Sequence, residues 1–370
     1  MTGATYAEPL STLEVHLDKI ARNYLFLRKR LALGADCAAV VKADAYGLGA
    51  PQVARALFDQ ECRHFFVAHF DEAAAVREVL PSNAIIYVLN GPWGADAKAF
   101  TAGGFVPVLN SLGDIEYWNG FSKAEGKKQP AVIHIDTGMS RLGLSSAEVG
   151  ALLNRRELLQ GIDLRYVMSH LACADEPQRA MNAAQLALFK KHAASLGLPC
   201  RLSLANSAGI LLGEAYHFDL VRPGCALYGI HPQSSGENSM QGVVTLKARI
   251  VQTRAIDISS TVGYGASYAA SFPANCVTVS VGYADGYLRS ATGRGTVTIG
   301  GETCPVIGRV SMDSIVVDTT KLKIQPRAGD WAEIIGAHQG VDDVAAQSGT
   351  IGYEILTSLG KRYRRNYTGV

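Results

Sequence analysis

Short apolar runs separated by segments of helical period recur along the first two-thirds of the chain. The runs at 38–42, 64–69, 84–89, 105–109, 131–136, 164–170, 201–205 and 219–222 have the length and continuous hydrophobicity of strands buried on both faces. Between them, segments such as 71–80, 145–159 and 178–196 read as helices. Ahead of them, 13–33 reads as an opening strand followed by a helix, with Ile20, Tyr24, Leu27 and Leu31 on one face. Eight strands alternating with helices predict an α/β fold of the (β/α)8 TIM-barrel type, whose chemistry gathers at the carboxyl ends of the strands. The pattern changes after Ile230. Residues 231–241 are polar and rich in Ser, Gly and Asn, as in a linker. Alternating runs at 243–252, 277–281, 296–299, 314–317 and 331–335, with glycine turns at 282–286 and 300–301, then predict a mainly antiparallel β domain. Helical segments at 341–348 and 351–359 close the pattern, and no internal repeat is visible. The expected division is a barrel over 12–236 and a β domain over 237–370 that also takes in 1–11.

Composition narrows the class without changing the fold. A chain of 370 residues, 48% hydrophobic and 18% charged, suits a soluble globular protein with two domains or one large α/β barrel with an addition. Its 35 basic and 33 acidic residues leave a net charge of +2, which gives no electrostatic case for nucleic acid or an acidic membrane. The basic run Lys361, Arg362, Arg364 and Arg365 reads as a solvated tail. Seven cysteines, at 37, 62, 173, 200, 225, 276 and 304, never form C-x-x-C, which argues against a zinc ribbon or a disulfide framework and for a reducing cytoplasm. Residues 1–13 lack the basic and apolar regions of a signal peptide, and no apolar run reaches the ~18 residues of a membrane span. In a cytosolic protein the sequon Asn366-Tyr367-Thr368 carries no meaning. No Walker lysine, third glycine after Gly47-x-Gly49 or H-E-x-x-H pair is present, so neither a classical nucleotide site nor a metal site is expected.

The predicted strand ends carry the candidate chemistry. The first strand ends in Lys42, followed by a small-residue turn, Gly47, Gly49 and Pro51 at a helix start. Desolvation there lowers a lysine's pKa, and a partly neutral lysine can form a Schiff base; a rim lysine in a salt bridge is the other reading these ten residues leave open. Strand five leads into Asp136-Thr137-Gly138-Met139-Ser140-Arg141. Strand six ends in Ser169-His170, strand seven in Asn206-Ser207 and strand eight in Arg222-Pro223-Gly224. Ser207 at a helix start and Gly224 after strand eight let backbone N–H groups approach an anion, in the loops where barrels of this type hold phosphate. Tyr46 can add a hydroxyl. A Schiff-base lysine and a phosphate cradle together point to pyridoxal 5′-phosphate.

From about Leu13 to Tyr353 the chain resembles the alanine racemase family. The resemblance rests on Val41-Lys42-Ala43-Asp44-Ala45-Tyr46-Gly47, Asp136-Thr137-Gly138-Met139 with Arg141-Leu142-Gly143, Ser169-His170, Ala205-Asn206-Ser207 and Arg222-Pro223-Gly224. It continues in Val262-Gly263-Tyr264-Gly265, Gly282-Tyr283-Ala284-Asp285-Gly286, Ser311-Met312-Asp313 and Gly352-Tyr353-Glu354. The resemblance implies a homodimeric, cytoplasmic racemase that interconverts L- and D-alanine for peptidoglycan or for catabolism, with active sites shared across subunits. Lys42 would carry the cofactor and act as one base, and Tyr264 of the second subunit as the other, with His170 as its hydrogen-bond partner. Arg222 would face the pyridine nitrogen. Arg141 and Met312 would bind the substrate carboxylate, Arg141 also touching the cofactor's phenolic oxygen. The phosphate would lie among Tyr46, Ser207, Gly224, Cys225 and Tyr353, with Asn206 also in the cofactor site, Leu89 near the ring, and Asp313 and Tyr283 at the entrance. One position departs: where well-studied members carry a lysine whose carbamate orients the arginine matching Arg141, this chain has His134. Arg141 must then be held by His134, by an anion or by another polar neighbour, and activity is expected to ignore bicarbonate. A racemase of broader specificity, acting on serine or basic amino acids, shares these motifs. A cofactor-carrier protein would need neither the β domain nor Tyr264, and a barrel-type decarboxylase would be expected to place an acid where Arg222 stands.

Overall fold

The computed structural model describes residues 9–93 and 96–369. These residues fall into two compact units. One runs from Ile20 to Gln241; the other joins the segment up to Lys19 to the residues from Gly242 onward. What the sequence suggested for residues 1–8, including their place in the β domain, lies outside the described residues.

The first unit is the expected barrel. Parallel strands at Ala39–Val40, His64–Val67, Ile85–Val88, Phe105–Leu109, Gln129–His134, Ile162–Met168 and Arg201–Ser203 lie side by side in chain order. The eighth, Leu220–Val221, closes the ring on Asp36–Cys37, the other half of the first strand. Ala38 N–H donating to the Val221 carbonyl at 2.9 Å and Val40 N–H to that of Pro223 at 3.0 Å carry the closure upward. On the far side Asn206 bridges Arg222, joining strands seven and eight. Val40, Phe66, Tyr87, Val106, Val108, Val132, Tyr166, Met168 and Leu220 form one buried cluster. Pairs such as Val106 and Val108 are two residues apart, the inward-facing period of a strand, so the barrel interior is a packed core rather than a pore. The Phe66 and Tyr87 rings stack within it at 4.4 Å.

Helices follow the expected pattern with boundaries set by caps. Ser145 and Glu148 form a reciprocal capping box that starts Ser146–Asn154, and Gly197 ends Ala180–Leu196 in the left-handed conformation at φ 58°. The helix Leu17–Arg28 buries Ile20, Tyr24 and Leu27 but stops before Leu31.

In the second unit, strand Val244–Ile256 pairs with Ser11–His16, Trp331–Ile335 and Ala274–Val279 in turn, helped by bulges at 246/247 and 250/252. Ala274–Val279, Ile315–Asp318, Glu302–Ile307, Thr296–Ile299 and Trp331–Ile335 complete a closed antiparallel barrel with it. The opening strand Ser11–His16 therefore belongs to this sheet. The basic run near the end is not a solvated tail: Arg364–Thr368 is a strand parallel to Ser11–His16. Arg362 grips the buried Asp285 through two nitrogens at 2.6 and 2.8 Å and reaches Asp313 at 2.6 Å. Charge density alone hid this, because an arginine whose acids lie far away in sequence looks the same as a solvated one.

Candidate active site

Lys42 stands at the carboxyl end of the first barrel strand. The four residues after it, Ala43 to Tyr46, all lie in the left-handed helical region, with φ between 53° and 58°. Each costs roughly 1–2 kcal/mol for a residue with a Cβ, so tertiary bonds must hold the turn. Glu72 accepts the Ala43 N–H at 2.7 Å, and Asp44 accepts that of Ala50 at 2.7 Å. Burial lowers the Lys42 pKa, the Arg141 charge lowers it further, and Glu72 opposes both.

The turn delivers Tyr46 to the ends of strands seven and eight. Its buried ring lies 4.5 Å from that of Tyr228, and burial raises the pKa of its phenol. A Cβ built on Gly224 would stand 2.4 Å from the Tyr46 hydroxyl, so glycine is what allows the approach. Ser207 Oγ accepts the N–H groups of Gly224 at 2.9 Å and Ala226 at 3.3 Å. Cys225 is buried between those two residues. The Ser207 hydroxyl, which keeps its own hydrogen to donate, and the Tyr46 phenol thus lie beside Gly224 with no carboxylate among them, and these donors fit a phosphate monoester. The Asn206 side chain is committed to the fold, since its Oδ1 caps the following helix at the Gly209 N–H, 2.9 Å, and its amide donates to the Leu171 carbonyl.

Arg222 is buried and bonded only to neutral oxygens. It donates to Ser203 Oγ at 2.5 Å and to the Ser169 carbonyl at 2.6 Å, with no carboxylate partner among the described residues. Desolvation lowers its pKa to about 10, which still leaves it protonated at neutral pH. Ser169 in turn is fixed by Thr137, hydroxyl to hydroxyl at 2.8 Å, and Gln185 donates to Thr137 Oγ1 and to the His170 carbonyl. Burial, then Arg222 and Arg141, push His170 well below the usual histidine range. Leu89 packs against the barrel cluster at the end of strand three.

His134 and the Arg141 loop explain one another. The Asn110 amide donates to the carbonyls of Leu89 and Val108 at 2.9 and 3.0 Å, so its oxygen faces His134 Nδ1 at 2.9 Å. Nδ1 must then carry the hydrogen and Nε2 is an acceptor. Burial, with Arg222 second, lowers the His134 pKa to about 3. The loop that carries Arg141 is stapled at its base by Leu144 N–H to the His134 carbonyl at 2.8 Å and Asp136 N–H to that of Leu144 at 2.9 Å. The Asp136 carboxylate accepts the amides of Gly138, Met139 and Ser140; burial raises its pKa, but these bonds outweigh burial and hold it low. Arg141 itself makes no hydrogen bond or ion pair among the described residues. It lines an open cleft of about 420 Å³ with Asn110, Asp136 and Glu148, a cleft that neither Lys42 nor Arg222 lines.

The remaining candidates belong to the second unit. Tyr264 is 72% exposed, on a tight turn between Gly263 at φ 75° and Gly265 at φ 70°. Tyr283, Met312 and Tyr353 are exposed as well. The 282–286 and 311–313 loops are tied together by Tyr283 N–H to the Ser311 carbonyl and Ala284 N–H to that of Met312, both 3.1 Å, and Arg362 holds Asp313 beside them. Glu72, Asn110, Gln185 and Ser203 escaped the sequence reading, and Arg362 entered it only as part of a solvated tail. Their only local sign is a capping-box position for Glu72, since the other partners meet across the fold.

Comparison with known proteins settles the family. Residues 15–232 match the family model for the alanine racemase N-terminal domain and residues 243–367 that for its C-terminal domain. The chain belongs to the alanine racemase family. A catabolic alanine racemase of Agrobacterium fabrum is 47% identical over 96% of this chain and 91% of its own length. The alanine racemase of Brucella abortus is 46% identical over 97% and 93%. Among solved structures, alanine racemase from Bartonella henselae with covalently bound pyridoxal phosphate aligns at a TM-score of 0.95, with 42% identity, over 98% of this chain and all of that one. The biosynthetic alanine racemase of Pseudomonas aeruginosa aligns at 0.89 with 34% identity over the same shares. No described helix is long and apolar enough to cross a membrane, and no group of three or more potential metal ligands occurs among the described residues.

Proposed function

We propose that this chain interconverts L- and D-alanine with pyridoxal 5′-phosphate held on Lys42, as a cytoplasmic homodimer whose active sites draw residues from both subunits. The observation that carries this reading is the convergence at one barrel mouth of a desolvated lysine, an arginine without an acid partner and a carboxylate-free phosphate cradle. When bound, the cofactor supplies an electron sink that makes the Cα–H of an amino acid acidic. Tyr46, Ser207, the amides of Gly224 and Cys225, and Tyr353 would hold its phosphate. Racemisation requires a proton to leave one face of Cα and return to the other, which two separately placed groups achieve without turning the substrate over. Lys42 Nζ serves one face and Tyr264 Oη of the other subunit serves the opposite face, with His170 bonded to that tyrosine. Arg141 and the Met312 N–H hold the substrate carboxylate, and Asp313 and Tyr283 border the entrance. Arg222, protonated at neutral pH, would face the ring nitrogen and leave it without a proton, which would restrain the sink and limit side reactions.

The deciding experiment incubates the protein with its cofactor and each L-amino acid in deuterium oxide and follows optical rotation. Loss of rotation with alanine, accompanied by deuterium at Cα, is expected. Loss with serine or basic amino acids as well would broaden the specificity, and no loss with any amino acid would refute the reading.

A further inference from the structure

Glu72 sits in the first turn of the helix Phe70–Arg77, where a carboxylate ordinarily closes a capping box. One of its oxygens does so, accepting the amides of Ala68 at 2.6 Å and His69 at 3.2 Å at the end of the second barrel strand. A capping box needs no more than that. The second oxygen leaves the helix and accepts the amide of Ala43, the residue directly after Lys42, at 2.7 Å. One carboxylate therefore ties the strained turn behind Lys42 to the neighbouring strand end. The charged side chains acting on Lys42 are Arg141 and Glu72, and of the two only Glu72 is an anion; Lys42 also acts on His170, which is neutral. Asp44, the next carboxylate along the chain, is turned away onto the Ala50 amide.

We propose that Glu72 is a positioning residue for Lys42, fixing the backbone from which the lysine projects and adding a negative charge that favours its ammonium. The inference deepens the racemase reading and rests on it only for the consequence in turnover. Removing the charge leaves Arg141 and burial unopposed, so the Lys42 pKa must fall when Glu72 is neutral.

The test uses the full-length chain freed of cofactor, in which the Lys42 pKa is read by competitive acetylation over a pH series and mass spectrometry of the Lys42 peptide. Glu72→Gln is expected to lower it, and Glu72→Asp by less. In the reconstituted protein, Glu72→Gln is expected to reduce kcat about tenfold or more while the alanine KM changes little, because both carboxylate oxygens are taken up by backbone amides. A Lys42 pKa unchanged in a folded Glu72→Gln protein overturns the proposal, whatever the activity. Should the variants not fold, hydrogen exchange of the wild-type chain decides. The amides of Ala43 and Ala68 are expected to share one protection level, and an unprotected Ala43 amide overturns the proposal. Since the pKa and the exchange are read without turnover, their failure is distinct from a failure to racemise alanine.

Discussion

His134 shows how a single side chain can be fixed in state by its neighbours. Asn110 spends both amide hydrogens on backbone carbonyls, so His134 Nδ1 can only donate to it, and burial beside Arg222 keeps the imidazole neutral. An unfolded chain protonates this histidine near its ordinary value of about 6.5, whereas the folded chain resists down to about 3. Folding stability from this group is thus complete above the ordinary value and is lost as pH falls through that window, because the unfolded state binds the extra proton. Between about pH 7 and about pH 5, wild-type protein should lose about 2 kcal/mol more stability than His134→Gln, measured by urea unfolding at both values. Parallel losses would show that the imidazole is not held neutral. Arg222 makes the complementary case, a buried cation among carbonyl and hydroxyl oxygens that its high ordinary pKa keeps charged. Arg222→Glu should raise the fraction of turnovers that end in amino-group transfer to the cofactor, seen as its aminated form by absorbance. An unchanged product profile counts against the role given to this arginine.

At the scale of elements, what could be read from the chain depended on whether the cause was local. The eight barrel strands were legible because burial on both faces leaves an uninterrupted apolar run, as in Phe105–Leu109. The turn after Lys42 was legible only as a turn. Nothing in Ala43-Asp44-Ala45-Tyr46 signals four successive left-handed residues, since none is glycine or asparagine and the bonds that compensate come from Glu72 and from Asp44 reaching Ala50. Lys42 and the loops after strands five to eight could be located because the fold reserves those ends for chemistry. Ser203 beneath Arg222 and Gln185 behind Thr137 could not, since each acts through a partner on another strand or loop. Gly224 is where element geometry and site meet. A methyl there would lie 2.4 Å from the Tyr46 hydroxyl and 3.5 Å from the Val40 Cβ, so Gly224→Ala must push the phenol out of the cradle. Cofactor affinity, titrated by absorbance, should fall about tenfold or more, with a loss of about 1–3 kcal/mol in stability. Normal affinity would mean that the cradle does not hold the phosphate.

At the scale of the whole molecule, neither compact unit holds the full set of proposed reacting groups. Lys42, Arg141, His170 and Arg222 belong to the barrel, while Tyr264, Met312 and Tyr353 are exposed on the β unit. Tyr264 lies open on a turn between two positive-φ glycines, and the proposed function gives it a partner in a second copy of the chain. If that partner is the barrel of a second copy, the two bases can be inactivated on different chains and still meet. Lys42→Ala and Tyr264→Phe should each be nearly inactive alone. Mixed, unfolded and refolded together at equal amounts, half of the dimers should be hybrids, and one of the two sites in each hybrid should be wild type in both bases. About a quarter of wild-type activity is then expected. A mixture as inactive as its components would place Tyr264 and Lys42 of one site on the same chain, whereas a Tyr264→Phe protein active by itself would remove Tyr264 from the reaction. Measuring each variant alone under the same refolding separates these two outcomes, since a tyrosine outside the reaction leaves Tyr264→Phe active by itself.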